Sequence, residues 1–250
     1  MRLDRFICRS TDLSKEQATQ TIKTGQVYVN SSAIHDPRVQ VHENNLITLK
    51  GVELRPRPPR YILMHKPANT ICSNIDEAYP SLFNYISIDK ASELHIAGRL
   101  DADTTGLVLI TDDGRWSYQI TQPNYLCEKV YRVRLRSPLT EKAELALTQG
   151  ILLQGEEKPT RPAKLTVVES SEVKSTDFKS NEVKATENKR TEVLLTITEG
   201  RFHQVKRMFA AVGNKVLQLH REQIGPIHLD VKEGQWRFLT LEEIDAFTHQ

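Results

Sequence analysis

A single aspartate stands in a polar loop at the point where an apolar strand begins. The loop covers residues 98–106 and carries Asp101, and the apolar run 107–110 follows it at once. Because a strand start buries its backbone, an aspartate beside it either caps a turn or faces a pocket, and its neighbours favour the pocket. A carboxylate that stays ionised in a pocket can act as a nucleophile or as a general base.

A lysine that could keep such a carboxylate charged lies on a predicted helix over 202–212. The apolar stripe of this helix consists of Phe202, Val205, Phe209 and Val212. Lys206 falls on the border of that stripe, roughly 80° from its centre at about 100° per residue. A border lysine can lay its stem along the core and point its ammonium group into a cleft, although most helix lysines simply face solvent.

The strand 129–136 places a tyrosine on its apolar face. Tyr131 alternates with Val133 and Leu135 on that face, while arginines occupy the other. An inward tyrosine is most often a core residue, but its ring can also stack on an extruded nucleobase.

Composition excludes several classes of protein. The chain has 250 residues, of which 38% are hydrophobic, enough for one large domain or a large and a small one. Its three cysteines lie far apart, which indicates neither a disulfide framework nor a zinc ribbon and fits a reducing cytoplasm. We find no signal-peptide core and no run of about 20 apolar residues, so we expect a soluble cytoplasmic protein without a membrane partner. The eight histidines show no metal-binding spacing and are expected to be structural.

The first part of the chain, residues 1–52, is predicted to form a small domain of two helices and a short sheet. Apolar residues at helical spacing begin at Leu3, and Ser14 can cap a second helix over 15–24. Three short strands are predicted at 26–30, 39–41 and 46–49.

This pattern resembles an S4 domain, in which basic residues of the first two helices meet RNA phosphates. The resemblance implies that role for Arg2, Lys15 and Lys23. Any one of these residues could equally well solvate a helix face, but their clustering favours binding.

A proline- and arginine-rich segment, 53–60, follows and is predicted to be a stiff linker. Its prolines can sustain neither a helix nor a central strand. Arg57 and Arg60 in this segment are further candidate RNA contacts. We therefore place the second domain at 61–250.

In the second domain, strands outnumber helices without a regular alternation. Strands are predicted at 61–64, 107–110, 130–135, 165–168 and 193–197, and helices at 114–120, 141–148 and 202–212. This arrangement is typical of an α+β domain with a mixed, mainly antiparallel sheet.

One segment of the second domain contains a short tandem duplication. Residues 171–176 are echoed by 181–186, and 191–193 start a third copy. The charged, Ser/Thr-rich middle cannot bury much apolar surface. We therefore expect 171–190 to be a flexible loop that carries no catalysis.

Several segments, taken in this order, resemble the motifs of the pseudouridine synthases, and their details match the RsuA family of ribosomal small-subunit enzymes. The segments are 98–109, 111–114, 128–131 and 199–209. Asp101 occupies the position of the family's catalytic aspartate, Lys206 that of its basic partner, and Tyr131 that of its active-site tyrosine. The resemblance covers nearly the whole chain and implies the same α+β fold.

The resemblance implies the isomerisation of a specific uridine of 16S ribosomal RNA to pseudouridine. Because this reaction involves no redox change and no group donor, we expect neither a cofactor nor a metal. Arg99 contacts the phosphate beside the target, fills the gap left by the flipped base, or forms a structural salt bridge. Arg201 is a further candidate RNA contact. The expected partner is 16S rRNA, either free or in a partly assembled small-subunit particle, and the expected state is a monomer.

Three alternatives of different kinds stand beside this interpretation. The first is a large-subunit (23S) rRNA pseudouridine synthase, and the second is a non-catalytic S4-type RNA-binding assembly factor. The third is a metal-dependent nuclease that uses Asp103, Asp112 and Asp113. The joint occurrence of the three family residues disfavours the second. The position of Asp112 and Asp113 where a helix needs a cap disfavours the third.

Overall fold

The computed structural model describes residues 1–168 and 191–247. The chain divides into two structural units, Met1–Pro59 and Arg60–Gln250. The segment 171–190, for which a flexible loop is predicted, lies outside the described residues. No helix within the described ranges combines the length and the apolar character needed to cross a membrane.

The first unit joins two helices to a four-stranded antiparallel sheet. Its elements are α1 (Leu3–Ser10), α2 (Lys15–Lys23), β1 (Val27–Val29), β2 (Ser32–Ile34), β3 (Ile47–Leu49) and β4 (Val52–Glu53). Both helices form where the sequence predicts them, since α1 buries Leu3 and Ile7, and α2 begins at a capping box between Ser14 and Gln17. The strand order is β2-β1-β3-β4.

The prediction of a strand over 39–41 is wrong. Gln40 forms only an isolated bridge with Arg2, and Val41 packs into the core of the first unit. The short strands β2 and β4 were not predicted, because two or three residues are too few to show an alternating pattern.

The segment 53–60 is not a separate linker. Glu53 belongs to β4, and the amide of Arg57 donates a hydrogen bond to the carbonyl of Arg9 at 3.0 Å. These backbone contacts hold the segment up to Pro59 in the first unit, and Arg60 begins the second.

The second unit is built on one nine-stranded sheet. Its strands are β5 (Tyr61–Lys66), β6 (His95–Ala97), β7 (Thr105–Thr111), β8 (Lys129–Leu135), β9 (Lys164–Val167), β10 (Glu192–Ile197), β11 (Val216–Ile224), β12 (Ile227–His228) and β13 (Trp236–Phe238). Its α-helices are α3 (Gly114–Thr121), α4 (Glu141–Gln149), α5 (Gln204–Ala211) and α6 (Leu241–Asp245). The main path is β13-β5-β7-β11-β8-β10-β9, with β6 on β7 and β12 on β11. Among these described strands, β7 and β11 pair in parallel and the others antiparallel, which confirms the predicted fold class.

The central strand β7 is buried on both faces, which explains its uninterrupted apolar sequence. Leu107 packs in the same cluster as Trp116 of α3, and Val108 packs in the cluster that contains Phe209 of α5. A strand buried on both sides shows a continuous apolar run rather than an alternating one. The loop that carries Asp101 is therefore attached directly to a fully buried strand at the centre of the sheet.

The strand β11 was not predicted because polar and charged residues interrupt its apolar positions. It nevertheless lies at the centre of the sheet, between β7 and β8. Its approach to β7 requires a glycine, since a Cβ at Gly106 would lie 2.3 Å from the carbonyl oxygen of Arg221. Gly106 also has φ +111, a conformation that L side chains rarely adopt.

We predict that Gly106→Ala lowers the free energy of unfolding by roughly 2–4 kcal/mol, because the added methyl group collides with backbone at a strained φ. Urea titration followed by circular dichroism measures this change. Gly114→Ala is the matched control, since a Cβ at Gly114 meets nothing within 4 Å. Equal loss of stability in both variants would contradict the explanation.

Candidate active site

A cavity of about 680 Å³ opens in the second unit beside the loop that precedes β7. Its walls come from this loop, from β8 and β11, and from the turn before α5. Asp101 and Tyr131 both line the cavity, and Leu219 contributes an apolar surface. A cavity of this size and mixed lining is typical of small-ligand sites.

Asp101 is held by two side chains of the α5 region. Its Oδ2 accepts a hydrogen bond from Lys206 Nζ at 2.9 Å, and its Oδ1 lies 3.4 Å from His203 Nε2. The Asp101 side chain is 28% exposed, so its charge is only partly hydrated. The ion pair is the one expected from the border position of Lys206 on its helix. The sequence predicts only a structural role for His203, and the structure instead places it against Asp101.

Lys206 also bridges to a second carboxylate. Its Nζ donates to Asp103 Oδ1 at 2.6 Å, although the Asp103 side chain is 70% exposed. Partial burial would lower the pKa of Lys206, but its hydrogen bonds to Asp103 and Asp101 outweigh that effect and raise the pKa. Likewise, burial would raise the pKa of Asp103, but the hydrogen bond and charge of Lys206 lower it. Lys206 therefore stays protonated at neutral pH.

A second lysine, Lys66, holds the backbone of the loop that carries Asp101. Lys66, at the end of β5, is fully buried, and its Nζ donates to the carbonyls of Pro67, Ala102 and Thr104 at 2.8–3.1 Å. Burial lowers the pKa of Lys66. Three accepting carbonyls satisfy all three donors of the ammonium group, so the loop beside Asp101 is tied to the sheet.

Tyr131 receives its support from a buried arginine of β11. Arg221 is 1% exposed, and its Nη1 donates to the Tyr131 hydroxyl at 3.3 Å. The remaining guanidinium nitrogens donate to the carbonyls of Leu107 and Gly98, each at 2.7 Å. Because the Tyr131 oxygen accepts this bond, its own proton is free to point toward the cavity. The inward orientation of Tyr131 follows the predicted strand alternation.

The turn before α5 is organised by a buried glutamate. Glu199 Oε1 accepts hydrogen bonds from the amide of Arg161 and from Gln204 Nε2, each at 3.0 Å. Gln204 in turn accepts from the amide of Arg201 at 2.8 Å. These bonds set the chain direction at His203, which has a left-handed φ of 49 and precedes the first residue of α5. The predicted helix start at 202 is thus two residues early.

The structure separates the predicted RNA contacts of the second unit into two kinds. Arg99 is exposed on the cavity rim and makes no hydrogen bond or ion pair within the described part of the chain. Arg60 instead donates to Asp112 at 2.9 Å, and Arg201 donates to the carbonyls of Lys158 and Pro159. Arg60 and Arg201 therefore stabilise loops, and we do not retain them as RNA contacts.

In the first unit, three predicted RNA contacts lie around one groove. Arg2, Lys15 and Lys23 line this groove of about 650 Å³, together with Arg38. Lys15 and Lys23 are exposed, whereas Arg2 is paired with Asp4 at 2.5 Å.

Arg57 lies outside that groove. Its Nε donates to the carbonyl of Arg9 at 3.1 Å. This contact continues the backbone pairing of the same two residues, so Arg57 is not retained as an RNA contact either.

The carboxylates of the nuclease alternative have structural partners. Asp113 caps α3 and accepts from the Tyr61 hydroxyl, and Asp112 accepts from Arg60. Within residues 1–168 and 191–247, no group of three or more His, Cys, Asp or Glu side chains is arranged to hold a metal ion.

The sequence did not reveal the buried cations Lys66 and Arg221 as supports of the site. Lys66 is the last residue of an apolar strand, and this position could have marked it as a buried lysine. A buried ammonium group needs hydrogen-bond acceptors, so the fold must supply them. Arg221 lies on the strand that was itself not predicted, so no local pattern could have marked it.

Comparison with known proteins shows a match along the whole chain. The family model described as RNA pseudouridylate synthase matches residues 60–211. The ribosomal small subunit pseudouridine synthase A of Vibrio vulnificus is 45% identical over 248 residues, covering 98% of this chain and 99% of that protein. The protein of the same name from Haemophilus influenzae is 43% identical over 248 residues, covering 98% of each chain. A crystal structure of a pseudouridylate synthase, 41% identical, superposes with a TM-score of 0.67 and covers 99% of both chains.

We predict that Lys206→Met raises the pKa of Asp103, because the hydrogen bond and charge that lower it are removed while partial burial remains. Carboxyl ¹³C NMR titration measures this, with Lys206→Arg as the control that retains the charge. In the wild type the folded-state pKa of Asp103 lies below its ordinary value of 3.8, so the interaction contributes stability at neutral pH. That contribution disappears as the pH falls through the folded-state pKa. An unchanged Asp103 pKa in Lys206→Met would contradict the assignment.

Proposed function

Because the chain belongs to the RNA pseudouridylate synthase family, we propose that it converts a specific uridine of the small-subunit (16S) ribosomal RNA to pseudouridine. The observation that carries the proposal is the ion pair between Asp101 and Lys206 beside the cavity. The substrate class is supported by the relatives named ribosomal small subunit pseudouridine synthase A, which match this chain along nearly their whole length.

The reaction defines what the cavity must supply. The bond from ribose C1′ to N1 of uracil breaks, the base turns, and a new bond forms from C1′ to C5, while C5 loses a proton and N1 gains one. No electrons are exchanged with another molecule and no group is donated, so the chemistry calls for no cofactor. The site must provide a nucleophile or base and must retain the detached uracil until the new bond forms.

Asp101 is the group we assign to this chemistry. A carboxylate can attack the ribose, add to the base or remove a ribose proton, and each of these routes requires it to be ionised. Lys206 Nζ donates a charge-assisted hydrogen bond to the carboxylate at 2.9 Å, and the partial burial of Asp101 limits the hydration that would weaken its reactivity.

Tyr131 is proposed to contact the uracil ring. Its side chain is buried at the wall of the cavity, where an aromatic face can stack on a base that has left its helix. The hydroxyl, which accepts from Arg221, can donate its proton to a uracil carbonyl.

The first unit is proposed to act as an S4-type RNA-binding domain. The exposed Lys15 and Lys23 line a groove into which a phosphate backbone can fit, whereas Arg2 and Arg38 of the same groove are paired with Asp4 and Asp36. Because base identity is not read by such contacts, this groove would supply affinity and orientation, while the second unit would select the uridine. Arg99 on the cavity rim is the phosphate contact we propose for the second unit.

We propose that the protein acts as a cytoplasmic monomer on 16S rRNA, either free or in a partly assembled small-subunit particle. The cysteines Cys8, Cys72 and Cys127 are free, which fits a reducing compartment.

The direct test incubates the protein with separate transcripts of 16S and 23S rRNA and maps pseudouridine by carbodiimide treatment and reverse transcription. The proposal expects one strong stop in the 16S transcript. A stop in the 23S transcript alone would assign the chain to the large subunit. Tight RNA binding with no stop in either transcript or in partly assembled small-subunit particles would indicate a non-catalytic assembly factor.

We predict that Lys206→Met reduces the single-turnover rate about 100-fold or more while the RNA dissociation constant changes little, because the lysine acts on the carboxylate rather than on phosphate. Lys206→Arg should retain more activity, since it preserves the positive charge. Lys142→Met, which changes an exposed lysine of α4, is the control for general charge loss. Equal loss of binding and rate in Lys206→Met would mean that Lys206 is a phosphate contact.

We predict that the double variant Lys15→Glu/Lys23→Glu weakens RNA binding and flattens its salt dependence. Each phosphate contact removed should reduce the slope of log K against log salt by about 0.7–0.9, so the double variant should reduce it by about 1.4–1.8. The matched control is Lys50→Glu/Arg55→Glu, two exposed residues of the same unit that do not line the groove. If the control pair changes the slope as much as the groove pair, the binding is diffuse and the groove has no special role.

A further inference from the structure

Phe202 is the most exposed aromatic residue in the described parts of the chain. Its side chain is 77% exposed, yet it lies on the rim of the cavity that contains Asp101. One face of its ring stacks on the imidazole of His203, with 3.8 Å between the ring centroids and 19° between the planes. The exposure of the residue leaves the other face open to solvent. The helical spacing of the sequence predicts that Phe202 belongs to the buried stripe of the helix over 202–212, but Phe202 precedes α5 and its ring is exposed.

The position of this ring is fixed by the same contacts that organise the active site. His203 has a left-handed backbone and lies 3.4 Å from Asp101 through its Nε2. The carbonyl of Phe202 accepts a hydrogen bond from Arg207 at 3.1 Å, and Arg207 is itself paired with Glu156 at 3.0 Å. These contacts hold the backbone that carries the ring, and the stack on His203 orients the ring itself.

We propose that the open face of Phe202 stacks on the nucleobase next to the target uridine in the RNA strand. This inference rests on the proposed function, because it assumes that the cavity receives a uridine. A nucleobase adjacent to an extruded uridine has lost one stacking neighbour, and a flat apolar ring at the cavity mouth can replace that neighbour. The Phe202–His203 stack then continues the base stack into the protein.

The position of Phe202 favours a nucleobase over a protein partner. The ring lines the cavity itself, within the turn that also contacts Asp101, so a protein docked on it would close the site. Arg99, an exposed cation on the same rim, can meet a phosphate of the strand whose base stacks on Phe202. Phe202 would thus hold the RNA strand beside the uridine through a contact that any neighbouring base can make.

The first test compares steady-state constants of substitutions at this position on the 16S transcript. Phe202→Ala and Phe202→Leu should raise KM about tenfold or more, since a stacked base contributes that much to binding and leucine has no aromatic face. Phe202→Tyr should restore a KM close to that of the wild type. Phe238→Ala is the matched control, because Phe238 is 52% exposed and does not line the cavity. Equal KM values for the leucine variant and the wild type would overturn the stacking role.

The second test does not depend on turnover. Phe202→Trp introduces a fluorophore at the stack, and neither Trp116 nor Trp236 lines the cavity. Addition of the 16S transcript should quench the emission of this variant beyond the change seen in the wild type. Quenching without any pseudouridine formed by the wild type would overturn the proposed function and, with it, the placement of the stacked base beside a target uridine. Normal turnover, with neither quenching nor a raised KM in the leucine variant, would overturn the stacking alone.

Discussion

The structure of the site depends on one ion pair, between Asp101 and Lys206, formed where solvent is only partly excluded. A carboxylate with 28% of its side chain exposed has lost part of its hydration, and Lys206 at 2.9 Å compensates for that loss. The two partners come from distant parts of the sequence, a loop that precedes β7 and the helix α5, which pack on the same core cluster. The reactive group is therefore positioned by the packing of the sheet against α5 rather than by its own loop.

Two of the buried cations support the loop that carries Asp101. Lys66 and Arg221 donate almost entirely to backbone carbonyls, which satisfy their hydrogen bonds without neutralising their charge. Their hydrogen bonds fix the backbone at Gly98, Ala102 and Thr104, on both sides of Asp101. A loop fixed in this way needs little reorganisation during reaction, which is the advantage of a preorganised site.

The sequence was sufficient for features that depend on local pattern and insufficient for those that depend on long-range packing. The helix capped by Asp113, the inward face of β8 and the border position of Lys206 all follow from periodicity and capping, and the structure shows each of them. The strand β11 has no clear period because charged residues such as Arg221 are satisfied there by distant carbonyls. The loop-stabilising contacts of Arg60 and Arg201 could not be predicted for the same reason, since their acceptors lie far away in sequence. The candidate catalytic residues were thus easier to locate from the sequence than the buried cations that support them.

If the reaction requires the negative charge of Asp101, the most direct test removes that charge and keeps the size of the side chain. The measurement is the single-turnover rate at which Asp101→Asn forms pseudouridine on saturating 16S transcript. The control is Asp103→Asn, which alters the more exposed carboxylate bound to the same lysine. We expect no product above background for Asp101→Asn, with RNA affinity and thermal stability retained, and substantial turnover for Asp103→Asn. Wild-type turnover by Asp101→Asn would contradict the assignment of Asp101 as the reactive group.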